Sequence, residues 1–169
     1  MRNTKATFVA MAALVILPAA LMAQPNSATI QATATVLTPL TVTATNNLDF
    51  GTSVFPGVNA SVLPTDASAG QFDLGGVANA EVDLDFGTLP AQLAGPGDNM
   101  TISFSATDAG YGTSQPAQTA FDPATGSLAN LDGSGLLSVW IGGTVQPRND
   151  QAAGAYSAGI TLTVNYTGN

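Results

Sequence analysis

Residues 28–44, with the sequence ATIQATATVLTPLTVTA, alternate between apolar and polar side chains. Every even-numbered position from Ala28 to Val36 is apolar, and every odd-numbered one is threonine or glutamine. The alternation resumes after Pro39, with leucine, valine and alanine at positions 40, 42 and 44. A repeat of two places the apolar side chains on one face of a half-buried β-strand and is incompatible with a helix. Because proline has no amide hydrogen, Pro39 predicts an edge, a bulge or a break between two strands.

The same pattern recurs to the end of the chain. Further strands are predicted near Val62 and over residues 71–74, 81–86, 99–104, 136–145 and 156–166. The second and third of these are expected to form a hairpin through Gly75-Gly76, and residues 108–135 to form a long loop. About seven to nine short strands without a helix predict an all-β fold, an antiparallel β-sandwich.

The first 23 residues have the order of a secretory signal peptide. Its parts are the positive residues Arg2 and Lys5, the apolar core 8–17, and the small residue Ala23 before Gln24. An uncleaved membrane anchor is the alternative, but Pro18 and the shift to polar sequence after the apolar core favour cleavage. We therefore expect a single domain over residues 24–169, without a stable membrane span, in a secreted, periplasmic or cell-surface location.

Composition excludes most catalytic classes. The chain has no histidine and no cysteine, so zinc sites built on those residues, Ser-His-Asp triads and thiolate chemistry are excluded. Outside the predicted signal peptide, Arg148 is the only cation against 11 acidic residues. Such a chain cannot neutralise a row of phosphates, so nucleic acid is not expected as a partner. We expect a protein that is not an enzyme and has no cofactor.

Glu81, Asp83 and Asp85 alternate along one predicted strand, which places three carboxylates on one face. One interpretation of these carboxylates is functional, as a divalent cation site or a glycosidase acid–base pair. A solvated strand face is favoured, because a flat strand spreads carboxylates that a metal-binding turn would gather. No metal site is therefore predicted.

Trp140 is the only tryptophan, and it lies on the opposite strand face from Leu137, Val139 and Ile141. It is a candidate contact residue, either as a sugar-stacking platform or at a subunit contact, and the alternative is cover by the loop 108–135. The adjoining Gly142-Gly143 predicts a bulge or a sharp bend.

Several stretches resemble a bacterial secreted family, domain of unknown function 4402. They are ATVLTPLTV (34–42), LDFG (48–51), AGQF (69–72), VWIGGT (139–144), GAY (154–156) and ITLTVNY (160–166). The early Phe-Gly (50–51), the Gly-x-Tyr motif (154–156) and the closing strand (160–166) are also distantly similar to spore coat U and archaic chaperone–usher pilin domains. That similarity implies an immunoglobulin-like, pilin-like sandwich and a fimbrial role. It also implies partners: a homopolymer or related surface subunits, with a periplasmic chaperone and an outer-membrane usher.

The leading functional hypothesis is a structural subunit of a secreted or surface assembly. The uncharged strand 28–36 has the form of a segment that adds to a neighbour's sheet edge through its backbone, with Ala28, Ile30, Ala32, Ala34 and Val36 on one face. The alternative pairing is within the chain, as the domain's own first strand. The alternative function is a monomeric extracellular module that binds carbohydrate or protein.

Export predicts that Gln24 is the first residue of the mature protein, because the cleavage site follows the small residue Ala23. Intact mass measurement of the exported protein checks this. A mature fraction that retains residues 1–23 would identify the segment as an anchor instead.

Overall fold

The structure is a computed structural model, and it describes residues 26–36 and 38–168. The predicted signal peptide and its cleavage site lie outside these residues. The chain divides into two units, Met1–Thr35 and Val36–Asn169. Every strand of the described residues belongs to the second unit.

The described residues form twelve β-strands. These are β1 (Thr41–Asn46), β2 (Ala60–Val62), β3 (Gly70–Gly75), β4 (Glu81–Asp85), β5 (Gln92–Leu93), β6 (Met100–Ser103), β7 (Ala109–Gly112), β8 (Thr119–Phe121), β9 (Ser127–Asn130), β10 (Leu136–Ile141), β11 (Gly143–Gln146) and β12 (Thr163–Tyr166). No helix among the same residues is long and apolar enough to cross a membrane.

The strands make three antiparallel sheets. The first has the order β1-β3-β10-β7-β8, the second β2-β11-β6-β5 and the third β12-β4-β9. The all-β sandwich is therefore confirmed. The strand count exceeds the predicted seven to nine because residues 108–135, expected to be a loop, contain β7, β8 and β9.

Gly142 divides the predicted strand 136–145 into β10 and β11, which belong to different sheets. Its amide donates a 2.7 Å hydrogen bond to the carbonyl of Asp108. A side chain at this position would collide with the carbonyl oxygen of Val62. The predicted bend is therefore the point at which the chain passes from one sheet to another.

The main core lies between the first and third sheets. Alternate residues of the strands supply it, as a repeat of two requires. Its buried members are Leu74, Val82, Leu84, Phe86, Ala109, Phe121, Ala129, Leu131, Leu137, Val139, Ile141 and Leu162. The buried rings of Phe86 and Phe121 contact each other at 6.2 Å between centroids. Each also contacts a half-buried ring: Phe86 contacts Phe72 at 6.1 Å, and Phe121 contacts Tyr111 at 5.9 Å.

The predicted hairpin through Gly75-Gly76 is wrong. β3 pairs with β1 and β10, whereas β4 pairs with β9 and β12 in another sheet. The connection between β3 and β4 does not form a hairpin turn. Instead, the amide of Gly76 donates a hydrogen bond to the carbonyl of Gly135 at 2.8 Å. Alternation identified both strands, but it contains no information about which strands pair.

The predicted strand at Ala28–Val36 is not formed in this structure. Residues 26–36 belong to no strand, and their side chains are exposed. Ile30 is 92% exposed and Val36 is 94% exposed. The predicted strand over 156–166 is also shorter than expected, because β12 begins only at Thr163.

Tyr166 fixes the entry to β1. Its hydroxyl donates to the carbonyl of Thr38 at 3.0 Å and accepts from the amide of Val77 at 2.8 Å. Leu40 packs against the main core beside it. The segment that leads into β1 is thus held at a defined place on the domain.

Tyr166→Phe is expected to lower the free energy of unfolding by about 1–2 kcal/mol, because the Val77 amide loses its partner. Urea denaturation followed by Trp140 fluorescence measures this. Tyr111→Phe is the matched control, since the Tyr111 ring is also half-buried and its hydroxyl has no partner among the described residues. Equal losses in both variants would contradict the bridging role of Tyr166.

Candidate functional site: an open cleft beside the first strand

The core-facing side of β1 is uncovered. Val42 lies opposite Leu74 and Ala44 lies opposite Phe72, so all four side chains share one face of the sheet. Leu74 is buried, but Val42 is 39% exposed and Ala44 is exposed. Among the described residues β1 pairs with β3 alone, so its other edge is open. The sandwich is therefore unfinished along this edge.

A second rim faces the same opening. Ile160 and Leu162 continue the alternation of β12 and pack against the main core. Residues 158–162 nevertheless belong to no strand. They run between the isolated bridge of Ser157 to Ala94 and the start of β12. The chain thus has the side-chain pattern of a strand here without a ladder of backbone hydrogen bonds.

Between these rims is an open cleft of about 980 Å³. Ala44, Phe72 and Ile141 line it from the first sheet, and Met100, Ile102 and Val145 from the second. Ile160 and Tyr156 line the opposite rim. The cleft is therefore the exposed end of the interior between the sheets, with a largely apolar floor.

Hydrogen bonds around Tyr156 hold the far rim. The Tyr156 hydroxyl lies 2.6 Å from the carbonyl of Pro96, to which it donates, and it accepts from Gln151 Nε2 at 2.8 Å. Gln151 is buried and also donates to the carbonyl of Asp98 at 2.7 Å. Arg148 pairs with the Asp98 carboxylate at 2.8 Å. These bonds stiffen the loop that carries the rim without placing a free charge in the cleft.

A family described as domain of unknown function (DUF4402) matches residues 40–166, which is more than half of the chain. The chain belongs to the DUF4402 family. No curated protein and no solved structure matches it significantly.

Five of the six stretches that carry the resemblance to the DUF4402 family contribute lining residues to the cleft. They are 48–51, 69–72, 139–144, 154–156 and 160–166. The strands and loops that resemble the family thus converge on the open side of the sandwich.

The three predicted carboxylates of the DUF4402 domain lie on β4, and two of them accept hydrogen bonds. Glu81 accepts from the Thr167 hydroxyl at 2.8 Å, and Asp85 accepts from the Gly87 amide at 2.6 Å. Asp83 is exposed. Within residues 26–36 and 38–168, no three acidic side chains are placed to hold a metal ion.

Trp140 lies on the opposite face of β10 from the main core and is only 3% exposed. Val62, Ala69, Leu48 and Phe50 cover it. The apolar cover is therefore the segment 48–69. In this arrangement the indole ring is not available as a surface platform for a sugar.

Asp73 is a polar centre that sequence reasoning missed. On the outer face of the first sheet, its carboxylate accepts from the hydroxyl of Thr45 at 2.6 Å, Ser138 at 2.7 Å and the amide of Gln71 at 2.8 Å. Partial burial alone would raise the pKa of Asp73, but the three donors outweigh it and lower that pKa. The carboxylate thereby joins β1, β3 and β10.

Asp73→Asn is expected to lower the free energy of unfolding by about 1–3 kcal/mol near neutral pH. Because the folded-state pKa is lowered, the ionised Asp73 stabilises the fold above its unfolded pKa of about 3.9. That stability is lost as the pH falls through the folded-state pKa, so the variant and the parent should converge in acid.

Urea denaturation between about pH 7 and pH 2 tests this pH dependence. Asp83→Asn is the control, because the Asp83 side chain is exposed and has no hydrogen-bond partner among the described residues. A constant difference between Asp73→Asn and the parent at every pH would contradict the electrostatic role.

Proposed function

We propose that this DUF4402 protein is an exported structural subunit of a secreted or surface assembly. Its subunits join by β-strand addition through residues 28–36. The supporting observation is the state of that segment: Ala28, Ile30, Ala32, Ala34 and Val36 are exposed and in no strand. Their pattern is nevertheless that of a strand with one buried face.

An exposed segment of this kind has two unsatisfied features. Its backbone amides and carbonyls are available to a sheet edge, and its apolar face is in contact with water. Three of its five apolar side chains are alanines, which bury little surface. Affinity would therefore come from main-chain hydrogen bonds, together with the two bulky side chains Ile30 and Val36.

Export through the predicted signal peptide fits this role, and so does the distant similarity to chaperone–usher pilins. A fimbrial subunit, with a chaperone and an usher as partners, is the finer form of the proposal. It rests on the resemblance of residues 50–51, 154–156 and 160–166 alone.

A monomeric sugar-binding module needs exposed aromatic rings. Trp140 is buried, and the three tyrosines, Tyr111, Tyr156 and Tyr166, are half-buried. Two of the three also use their hydroxyls within the domain. Phe55, at 64%, is the one strongly exposed aromatic ring of the described residues. A single exposed ring is a small stacking surface, so these positions favour the assembly role over carbohydrate binding.

Ile30→Asp tests the proposal, because a charge on the buried face of an added strand is left unpaired. We expect self-association of the exported protein to weaken at least a hundredfold, a change of about 3 kcal/mol. Folding should be unaffected, since Ile30 is 92% exposed in the free chain. Light scattering after size-exclusion chromatography, with electron microscopy for filaments, measures assembly, and circular dichroism measures folding.

Gln31→Asp is the matched control, because it adds the same charge on the other face of the same segment. It should assemble like the parent. If Ile30→Asp also assembles like the parent, or if the parent remains a monomer at all concentrations, the proposed function is wrong.

A further inference from the structure

The open cleft described above has the shape and the rims of a site for one missing strand. β1 offers a free edge on one side, and residues 158–162 offer a second segment without strand partners on the other. Between them lies an apolar floor that water reaches. Free sheet edges next to exposed core residues are the feature that an added strand satisfies.

We infer that this cleft receives residues 28–36 of a second copy of the same chain. The inference rests on the proposed function, and it names both the acceptor site and the partner. The incoming strand extends the first sheet at β1 and turns its even-numbered side chains toward Ala44 and Ile160. Ile30 and Val36 supply the volume, while the alanines between them fit a floor already occupied by Phe72.

Charge favours this occupant. Residues 26–46 contain no charged side chain, whereas the rest of the chain carries all 11 acidic residues and Arg148. A strand whose inward face carries no acidic side chain enters the cleft of such an acidic domain without like-charge repulsion. It also leaves no charge unpaired when it becomes buried.

Residues 28–36 of the same chain fit the cleft poorly, because the number of residues in the connecting loop decides which face of the strand turns inward. Residues directly opposite each other in an antiparallel pair share a face. For even-numbered residues of 28–36 to face the cleft beside Val42 and Ala44, the connecting loop must contain an odd number of residues. The four-residue loop 37–40 would turn the threonines inward instead.

Neither odd-numbered loop suits this sequence. A three-residue loop would be 37–39 or 38–40, and its last residue normally adopts a positive φ. Pro39 cannot adopt a positive φ, and Asn79 is the only non-glycine residue of the described part of the chain that does, so Leu40 does not. A five-residue loop would be 36–40, which removes Val36 from the strand and leaves Ile30 as the only bulky side chain on its inward face. The carbonyl of Thr38 is held by Tyr166 as well. A parallel arrangement would need a crossover of about a dozen residues, and the chain between Val36 and Thr41 is far shorter.

Ala44→Trp in the full exported chain tests the acceptor. Ala44 is exposed and lines the cleft, so the indole fills the site without displacing a buried side chain. Self-association should weaken at least tenfold with an unchanged melting temperature. Thr43→Trp is the matched control, because Thr43 is on the same strand and points to the other face. It should assemble normally.

Mixing gives a second readout. Ile30→Asp retains an intact cleft, and Ala44→Trp retains an intact segment 28–36. Each variant alone should be monomeric, and an equal mixture should form a one-to-one dimer that grows no further. If Ala44→Trp assembles normally while Ile30→Asp does not, or if the two monomeric variants fail to combine, this inference is overturned and the proposed function stands. If Ile30→Asp also assembles normally, the proposed function itself fails.

Cross-linking locates the contact, since the chain contains no cysteine of its own. Ala44→Cys is mixed, under a mild oxidant, with single cysteine variants at each position from 28 to 36. The disulfide dimer should form at one even-numbered position, or at two consecutive even-numbered ones, and at no odd-numbered position, because only the residue opposite Ala44 on the same face lies within about 7 Å of it. Equal yields at odd and even positions would overturn the inference. A double variant that carries both cysteines in one chain completes the test. If disulfides form only within that chain and not between chains, the segment fills its own cleft, which contradicts both proposals.

Discussion

The architecture depends on the absence of a side chain at Gly142. β10 is a central strand of the first sheet, and the same run of chain continues as β11, a central strand of the second. Any larger residue at the junction would meet the carbonyl of Val62. Because two interior strands share this bend, the two sheets are held at a fixed angle around it. The inward residues Ile141 and Val145, on either side of the bend, then become neighbours on the floor of the cleft.

The open side follows from how the remaining strands are distributed. β4 pairs with β9 and β12 in a third sheet, so it does not extend the first one beyond β1. β1 is held on its other side by backbone pairing with β3 and by the polar contacts of Thr45 with Asp73. A strand that is well anchored along one edge and bare along the other is a stable platform for addition. Exposed edges are otherwise an aggregation hazard, and this one has no charged residue to guard it.

The sequence predicted what depends on local alternation, and little that depends on long-range contact. The all-β class and the inward positions of β4, β6 and β10 followed from a repeat of two. β7 and β8 were missed because Ala109-Gly110-Tyr111-Gly112 and Thr119-Ala120-Phe121 are short and rich in small residues. The cleft, the cover over Trp140 and the donors around Asp73 join segments far apart in sequence. Spacing along the chain cannot indicate any of them.

The segment 28–36 shows that local alternation alone does not determine whether a strand forms. Its alternation equals that of residues 40–44, yet only residues 41–44 of these two stretches lie in a strand of this structure. An alternating pattern specifies which face of a strand is apolar. The partner must be a free sheet edge that the segment can reach with that apolar face turned inward. The chain's own β1 edge meets that condition poorly, because a loop of matching parity either requires a positive φ at Pro39 or Leu40 or removes Val36 from the strand. The β1 edge of a second copy has no such restriction, because no short loop connects it to the incoming segment. In the assembly proposed above, the donor and acceptor surfaces are different parts of the molecule, so the contact is heterologous and each added copy would present a new vacant cleft.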